Sequence, residues 1–308
     1  MWGFLFNRII ASILVLIGSL FLVFFINYSL PGDVVDQMLE GTGASPEMAA
    51  NLREELGLDL PFHIQFFEYL SNIIHGDFGN SIVNNAPVLD KILTQFPATL
   101  SLTFVSASIA VILGITLGVY SAIHHNTIID YVARLIGLFG ISMPTFWSGI
   151  LLVLLFSVHL GWFPSIGSDG WSTLVLPSFS LGLVCSGSII RMVRNSMLEV
   201  INEQYILTLR SKGLKGNVIM YKHVLRNALI PSITIIGMMI GDLLGGAVVI
   251  ETVFSRQGIG RLIADAIAAK DLPVVQGVVF FSAIVYISIN FLVDISYSFI
   301  DPRVRKSF

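Results

Sequence analysis

Apolar runs of about twenty residues recur along this chain, each long enough to cross the hydrocarbon core of a bilayer as a helix. They fall at about 9–30, 98–123, 135–160, 173–190, 228–250 and 274–300, so six spans are expected. In hydrocarbon every backbone N–H and C=O must find its partner inside the protein, which leaves helices and closed barrels. None of the runs shows the alternation of a barrel strand, and the chain is read as an all-α polytopic membrane protein. Composition agrees: only 12% of the 308 residues are charged, against roughly a quarter in a soluble domain. The first run is too long for a signal-peptide core and no small-residue cleavage site follows it, so it is expected to be retained.

Orientation follows from the basic residues. Arg8, Arg134, the seven Lys and Arg residues from Arg191 to Arg226, and Arg303, Arg305 and Lys306 fall on one side; Arg53, Lys91, Arg256, Arg261 and Lys270 fall on the other. The positive-inside rule places both termini in the cytoplasm of a cell whose inner membrane this chain would cross. Three parts result: 1–30 with the first span, an extracytoplasmic segment over 31–96, and a core of five spans over 97–308 that holds a cytoplasmic loop at about 191–227. Segment 31–96 carries ten acidic residues against two basic ones. That surface could be a solvated face, a docking site for a basic partner or an attractor of cations. Ser45-Pro46-Glu47 opening and Gly57 closing a stretch predict a short outer helix. The net charge of -3 excludes a broad polybasic surface, so no nucleic-acid partner is expected. A single cysteine, Cys185, excludes an intrachain disulfide and a cysteine-based metal cluster.

Catalytic signatures are missing. The sequence has no Gly-x-x-x-x-Gly-Lys-Ser/Thr phosphate loop, no His-Glu-x-x-His and no Gly-x-Ser-x-Gly, so no catalytic residue is assigned and no cofactor is expected on this chain. Ser186 and Ser188 beside Gly187 are explained by close helix packing. The loop at 191–227 is richer, with Glu199, Glu203, Tyr205, Arg210, Lys212, Gly213, His223, Arg226 and Asn227 ahead of Pro231. Apolar Val200, Ile201, Ile206, Leu207 and Leu209 predict a short amphipathic helix over 199–213 that stops at Gly213, and a second helix from near Asn217. The element serves either as a loop that only fixes topology or as a docking surface.

These residues carry a resemblance. Glu203-Gln204-Tyr205, Gly213 and the run His223-Val224-Leu225-Arg226-Asn227-Ala228-Leu229 with Pro231 resemble the "EAA" coupling loop of binding-protein-dependent ABC importer permeases, in the form of the dipeptide, oligopeptide and nickel branch. Pro31-Gly32-Asp33, Asp77-Phe78-Gly79, Phe96-Pro97-Ala98-Thr99-Leu100, Ser142-Met143-Pro144, Glu251-Thr252-Val253-Phe254, Gly258-Ile259-Gly260, Asp271-Leu272-Pro273-Val274 and Asp301-Pro302-Arg303 agree, so the likeness covers nearly the whole chain. Arg256-Gln257 departs from it, since an aromatic residue and a proline are expected there. The resemblance implies a type I ABC importer permease fold. It also implies a second homologous permease subunit, two cytoplasmic ATPase subunits and an extracytoplasmic substrate-binding protein as partners. Glu203, Tyr205, Arg210, Lys212, Gly213, His223, Arg226 and Asn227 become the candidates for coupling to the ATPases.

A translocation path needs polar or small groups facing the bundle interior. Asp242 in the fifth run and Asp294 in the sixth are acids at membrane depth, costly there unless paired or wetted. Both are path candidates, with Met143 beside Pro144, although Asp294 also suits a structural hydrogen bond and Met143 suits packing. The pattern Ile240-Gly241-Asp242-Leu243 and the short outer connection from Trp162 to Trp171 resemble nickel permeases, which implies nickel, free or chelated, as cargo; a dipeptide or oligopeptide is the alternative. The six histidines are scattered, so no metal ligand set is assigned. A secondary transporter would need a proton relay or an evident repeat, and a channel would not need the helix–Gly213–helix element.

Overall fold

The computed structural model describes residues 2–29, 35, 39, 45–55 and 57–300. These form helices without a sheet: α1 (Trp2–Ser29), α2 (Pro46–Glu55), α3 (Phe62–Ile74), α4 (Val88–Ile123), α5 (Ile128–Ser142), α6 (Thr145–Leu152) continued by a π-helical stretch (Val153–His159), α7 (Ser172–Ile201), α8 (Gln204–Ser211), α9 (Gly216–Val218) continued by a second π-helical stretch (Ile219–Val224), α10 (Leu225–Val253), α11 (Ile259–Ala268) and α12 (Leu272–Ile300). Motif residues 31–33 and 301–303, and the basic residues Arg305 and Lys306, lie outside the described residues. Two compact units are distinguished, one of residues 1–97 and 262–287, the other of 98–261 and 288–308.

Within the first unit, the expected outer helix forms as α2. Ser45 Oγ accepts the Met48 N–H at 3.3 Å at its start, and Gly57 adopts a positive φ of 66° just past its end. Aromatic rings hold α1 to α3, with Phe24 5.4 Å from Phe62 and 5.6 Å from Phe66 between centroids. Asp271, buried just ahead of α12, accepts from the Ser81 hydroxyl and from the Ile82 N–H at 3.1 Å, while Lys91 donates to Ser81 Oγ at 2.9 Å.

In the second unit, α7 is the axis. Its 30 residues make about 45 Å of helix, more than the hydrocarbon thickness, so the expected span over 173–190 runs on to Ile201 in one piece. The expected third span over 135–160 is not one straight helix. It breaks after Ser142, and the two pieces meet at 112°. Pro144 is the cause: a residue before proline avoids the helical region, and Met143 accordingly takes φ −84° and ψ 131°.

Among the described residues five helices are long and apolar enough to span, and six spans result if the bent pair crosses as one. Neighbours along α7 place the first piece of the pair. Asp130 of α5 bonds Arg194, Gly137 and Gly140 lie against Ile190 and Leu183, and Ser148 of α6 bonds Ser180 at 2.7 Å. From Arg194 to Ser180 is about 21 Å along the helix, so α5 runs antiparallel to α7 as far as the break, where Thr145 and Ser148 both meet Ser180. Gly187 and Gly137 allow this antiparallel approach, because a Cβ at Gly187 would collide with the Gly137 carbonyl oxygen and the Ile141 backbone. Replacing Gly187 with Leu is expected to lower stability by about 1–3 kcal/mol, the usual overpacking cost. Thermal unfolding of the purified protein in detergent checks this, and an unchanged midpoint would contradict the packing.

Candidate functional site

The short helix expected over 199–213 is confined to α8, residues 204–211, because Val200 and Ile201 complete the last turn of α7. Glu203 stands at the start of α8 in an extended conformation, φ −68° and ψ 144°. At the other end Gly213 takes φ +75°, and its N–H bonds Arg210 O at 2.9 Å while the Leu214 N–H bonds Leu209 O at 3.3 Å. This pair of reversed bonds, with Leu209 and Leu214 both packed on the core, is a Schellman stop. Only a residue at ease with positive φ suits that place.

The next helical run starts at Gly216, close to the expected Asn217, and passes through the π-helical stretch that holds His223. Ile206, Ile219 and Val224 are buried in the same core as Val193 and Met197 of α7, so the element is anchored on the long axis helix. Asn227 Nδ2 donates to Tyr205 Oη at 2.8 Å and ties the two arms together. Glu203, Arg210, Lys212 and Arg226 stand exposed around this tie, and His223 is half-buried. Leu207 is 67% exposed and Tyr221 50%, which gives the element an apolar face inside a basic rim.

On α10 the exposed positions Thr234, Met238, Asp242, Gly245 and Val249 recur at helical spacing and form one stripe. Among the described residues Asp242 makes no hydrogen bond or ion pair. An exposed acid at this depth is unsuited to lipid, so the stripe calls for water or another chain. Met143 sits half-buried at the break between α5 and α6, and no hydrogen bond joins it to Asp242 among the described residues. Asp294 lies on α12, but its side chain is outside the described ones.

Sequence reasoning singled out neither of two buried charged groupings. Glu251, fully buried near the end of α10, accepts from Thr99 Oγ1 at 2.6 Å, the Gly260 N–H at 2.8 Å and the Arg261 N–H at 3.2 Å. With Thr99 Oγ1 also accepting the Ile259 N–H at 2.9 Å, the first N–H groups of α11 are all satisfied. Three motif stretches therefore meet at one carboxylate, and an acid closing an apolar run was the available signal. Arg256, in the pair Arg256-Gln257 where the resemblance predicts an aromatic residue and a proline, is buried and donates to Ser101 Oγ at 3.1 Å. Burial lowers its guanidinium from the ordinary value, and the nearby Glu251 charge opposes that. The second grouping centres on buried Asp130, which receives Arg194 Nε at 2.7 Å and Nη2 at 3.0 Å, Ser121 Oγ at 2.6 Å and the Asn126 N–H at 3.0 Å.

Comparison with known proteins decides the family. A profile described as "Binding-protein-dependent transport system inner membrane component" matches residues 114–306, and one for the N-terminal part of such membrane components matches 1–103. The chain belongs to this family. It is 40% identical over 303 residues to the glutathione transport system permease protein GsiC of Escherichia coli (strain K12), covering 97% of this chain and 99% of that one. Its identity with GsiC of Salmonella typhimurium is 38% over 305 residues, 99% of each chain. The fold is shared with the methionine ABC transporter MetNI in inward-facing form, at TM-score 0.58 and 22% identity over 68% of this chain and 95% of that one. An amino acid ABC transporter gives TM-score 0.54 at 14% identity, over 68% of this chain and 94% of that one.

The chain is accordingly a multi-pass permease subunit of an ABC importer, with the type I fold and no catalysis of its own. In such a permease the Glu251 knot fixes the turn between α10 and α11. Glu251→Gln places an amide N–H₂ among groups that themselves donate, and is expected to cost about 1–3 kcal/mol. A lowered unfolding midpoint in detergent is the expected result; wild-type stability would show that the carboxylate is dispensable.

Proposed function

We propose that this permease carries small peptides, glutathione-like ones included, from the outside into the cytoplasm. The observation that carries this reading is the end-to-end likeness to glutathione permeases, which favours the peptide alternative over the nickel cargo expected from Asp242. The chemistry of the α10 stripe is compatible with it. A lone carboxylate among Thr234, Met238 and Gly245 offers a counter-charge to a peptide ammonium without the several ligands that retain a metal ion. Transit needs weak binding, and a single acid supplies it.

The same reading assigns the partners. A second permease subunit covers the open stripe of α10, an extracytoplasmic binding protein delivers the peptide, and two ATPase subunits receive α8 and its surroundings in a groove. Both termini are cytoplasmic, by the distribution of Lys and Arg. Glu203, Tyr205, Arg210, Lys212, Gly213, His223, Arg226 and Asn227 then form or support the coupling surface. The ATPases act on transport because closing of their dimer, tightened by ATP, binds one arrangement of the permeases better than the other.

Uptake into proteoliposomes that hold the full complex and its binding protein tests the cargo. ATP-dependent accumulation of labelled glutathione or dipeptide, with none of labelled nickel, is expected. ATP-dependent nickel uptake without peptide uptake would restore the nickel reading, and flux indifferent to ATP would contradict the coupling.

A further inference from the structure

A cavity of about 340 Å³ lies between α5 and α7, away from the α10 stripe and from α8. Arg134, Arg191 and Arg194 stand at one end of it, and Leu138, Ile141 and Ile190 form its floor. The arrangement is graded along the helices. Arg134 to Ile141 covers about 10 Å of α5, and antiparallel α7 descends in the same direction from Arg194 to Ile190. Arg134 and Arg191 therefore stand at one depth with Ile190 beside them, and Leu138 and Ile141 lie deeper. Leu138 is 61% exposed, so the floor faces outward from the chain, where hydrocarbon would lie against it.

Charge at the rim is unbalanced. Arg194 is held by both oxygens of Asp130. Arg134 reaches the same carboxylate only at 3.5 Å and lies 4.4 Å over the Tyr131 ring. Arg191 is exposed and has no carboxylate partner among the described residues. Two guanidinium groups thus share one buried acid and the third has none among the described residues, which leaves an excess of positive charge at the mouth of a greasy groove. A soluble anion would satisfy the rim and leave the floor bare. An acyl chain carrying an anionic headgroup satisfies both.

We propose that this groove binds an anionic phospholipid of the cytoplasmic leaflet, with the phosphate at Arg191 and Arg134 and an acyl chain along Leu138 and Ile141. The leaflet follows from the orientation given under the proposed function; the binding itself depends on neither cargo nor coupling. Basic pockets between spanning helices on the cytoplasmic side suit such headgroups, at about 1 kcal/mol for each Lys or Arg near the membrane surface.

Native mass spectrometry of the purified, delipidated full complex tests the site, with phosphatidylglycerol and phosphatidylcholine of identical chains as probes and glycerol 3-phosphate as the soluble headgroup. Wild-type protein is expected to retain phosphatidylglycerol over phosphatidylcholine. Arg191→Gln, which removes no hydrogen bond or ion pair among the described residues, should weaken that retention about fivefold. Leu138→Trp, which fills the floor, should weaken retention of both lipids. Equal retention of the two lipids, displacement of phosphatidylglycerol by glycerol 3-phosphate, or wild-type retention in Arg191→Gln would each overturn the proposal. The readout requires no transport, so a failed uptake experiment and a failed lipid site are told apart.

Discussion

The second unit depends on how closely its helices approach α7. In a bilayer the hydrophobic effect does little to drive helices together, since lipid tails are as apolar as leucine, and packing must supply the attraction. Gly137 and Gly187 let α5 and α7 touch through backbone, Gly114 and Gly118 do the same for α4 against Ile189 and Val193, and Gly182 receives Ile109. Once three helices lie along one axis, the position of each polar group at their ends is set. Ser121 of α4, Asp130 of α5 and Arg194 of α7 meet only because of that approach.

Such meetings are costly unless complete. A buried carboxylate loses its hydration and is tolerated when its oxygens receive several donors. Asp130 and Glu251 both meet that condition, one near the break between α4 and α5, the other at the turn into α11. Each fastens a turn, one at the Asp130 end of α7 and the other between α10 and α11. In the proposed coupling, a displacement at α8 reaches the α10 stripe through packed helices that move as rigid bodies.

Much of this was legible in the sequence. The apolar runs located the spans, Gly213 located the stop of α8, and Ser45 with Gly57 located α2, because each signal is local and has a direct backbone cause. Where the reading failed, local signals misled. The run over 135–160 is continuously apolar, and that continuity concealed what Pro144 does to Met143. Arg191 and Arg194 suggested that the fourth span had ended, whereas they ride on the projecting part of α7. The polar groupings were out of reach for a different reason: Asp130 and Arg194 are 64 residues apart and Thr99 and Glu251 152, and only the helix packing brings them together. Asp242 was found as an acid at membrane depth, but what it serves depends on the chain or cargo facing it.

The central claim is that α8, held by the Gly213 stop and by the Tyr205–Asn227 tie, passes the state of the ATPases to the spans. Leu207 offers the cleanest test, since two-thirds of its surface is exposed. Uptake and ATP hydrolysis should be measured together in the full complex with Leu207→Asp. The account predicts a permease that still inserts and folds, with uptake per ATP hydrolysed reduced at least about tenfold, a loss of the order of 1.4 kcal/mol in coupling. Wild-type uptake at wild-type hydrolysis would contradict it.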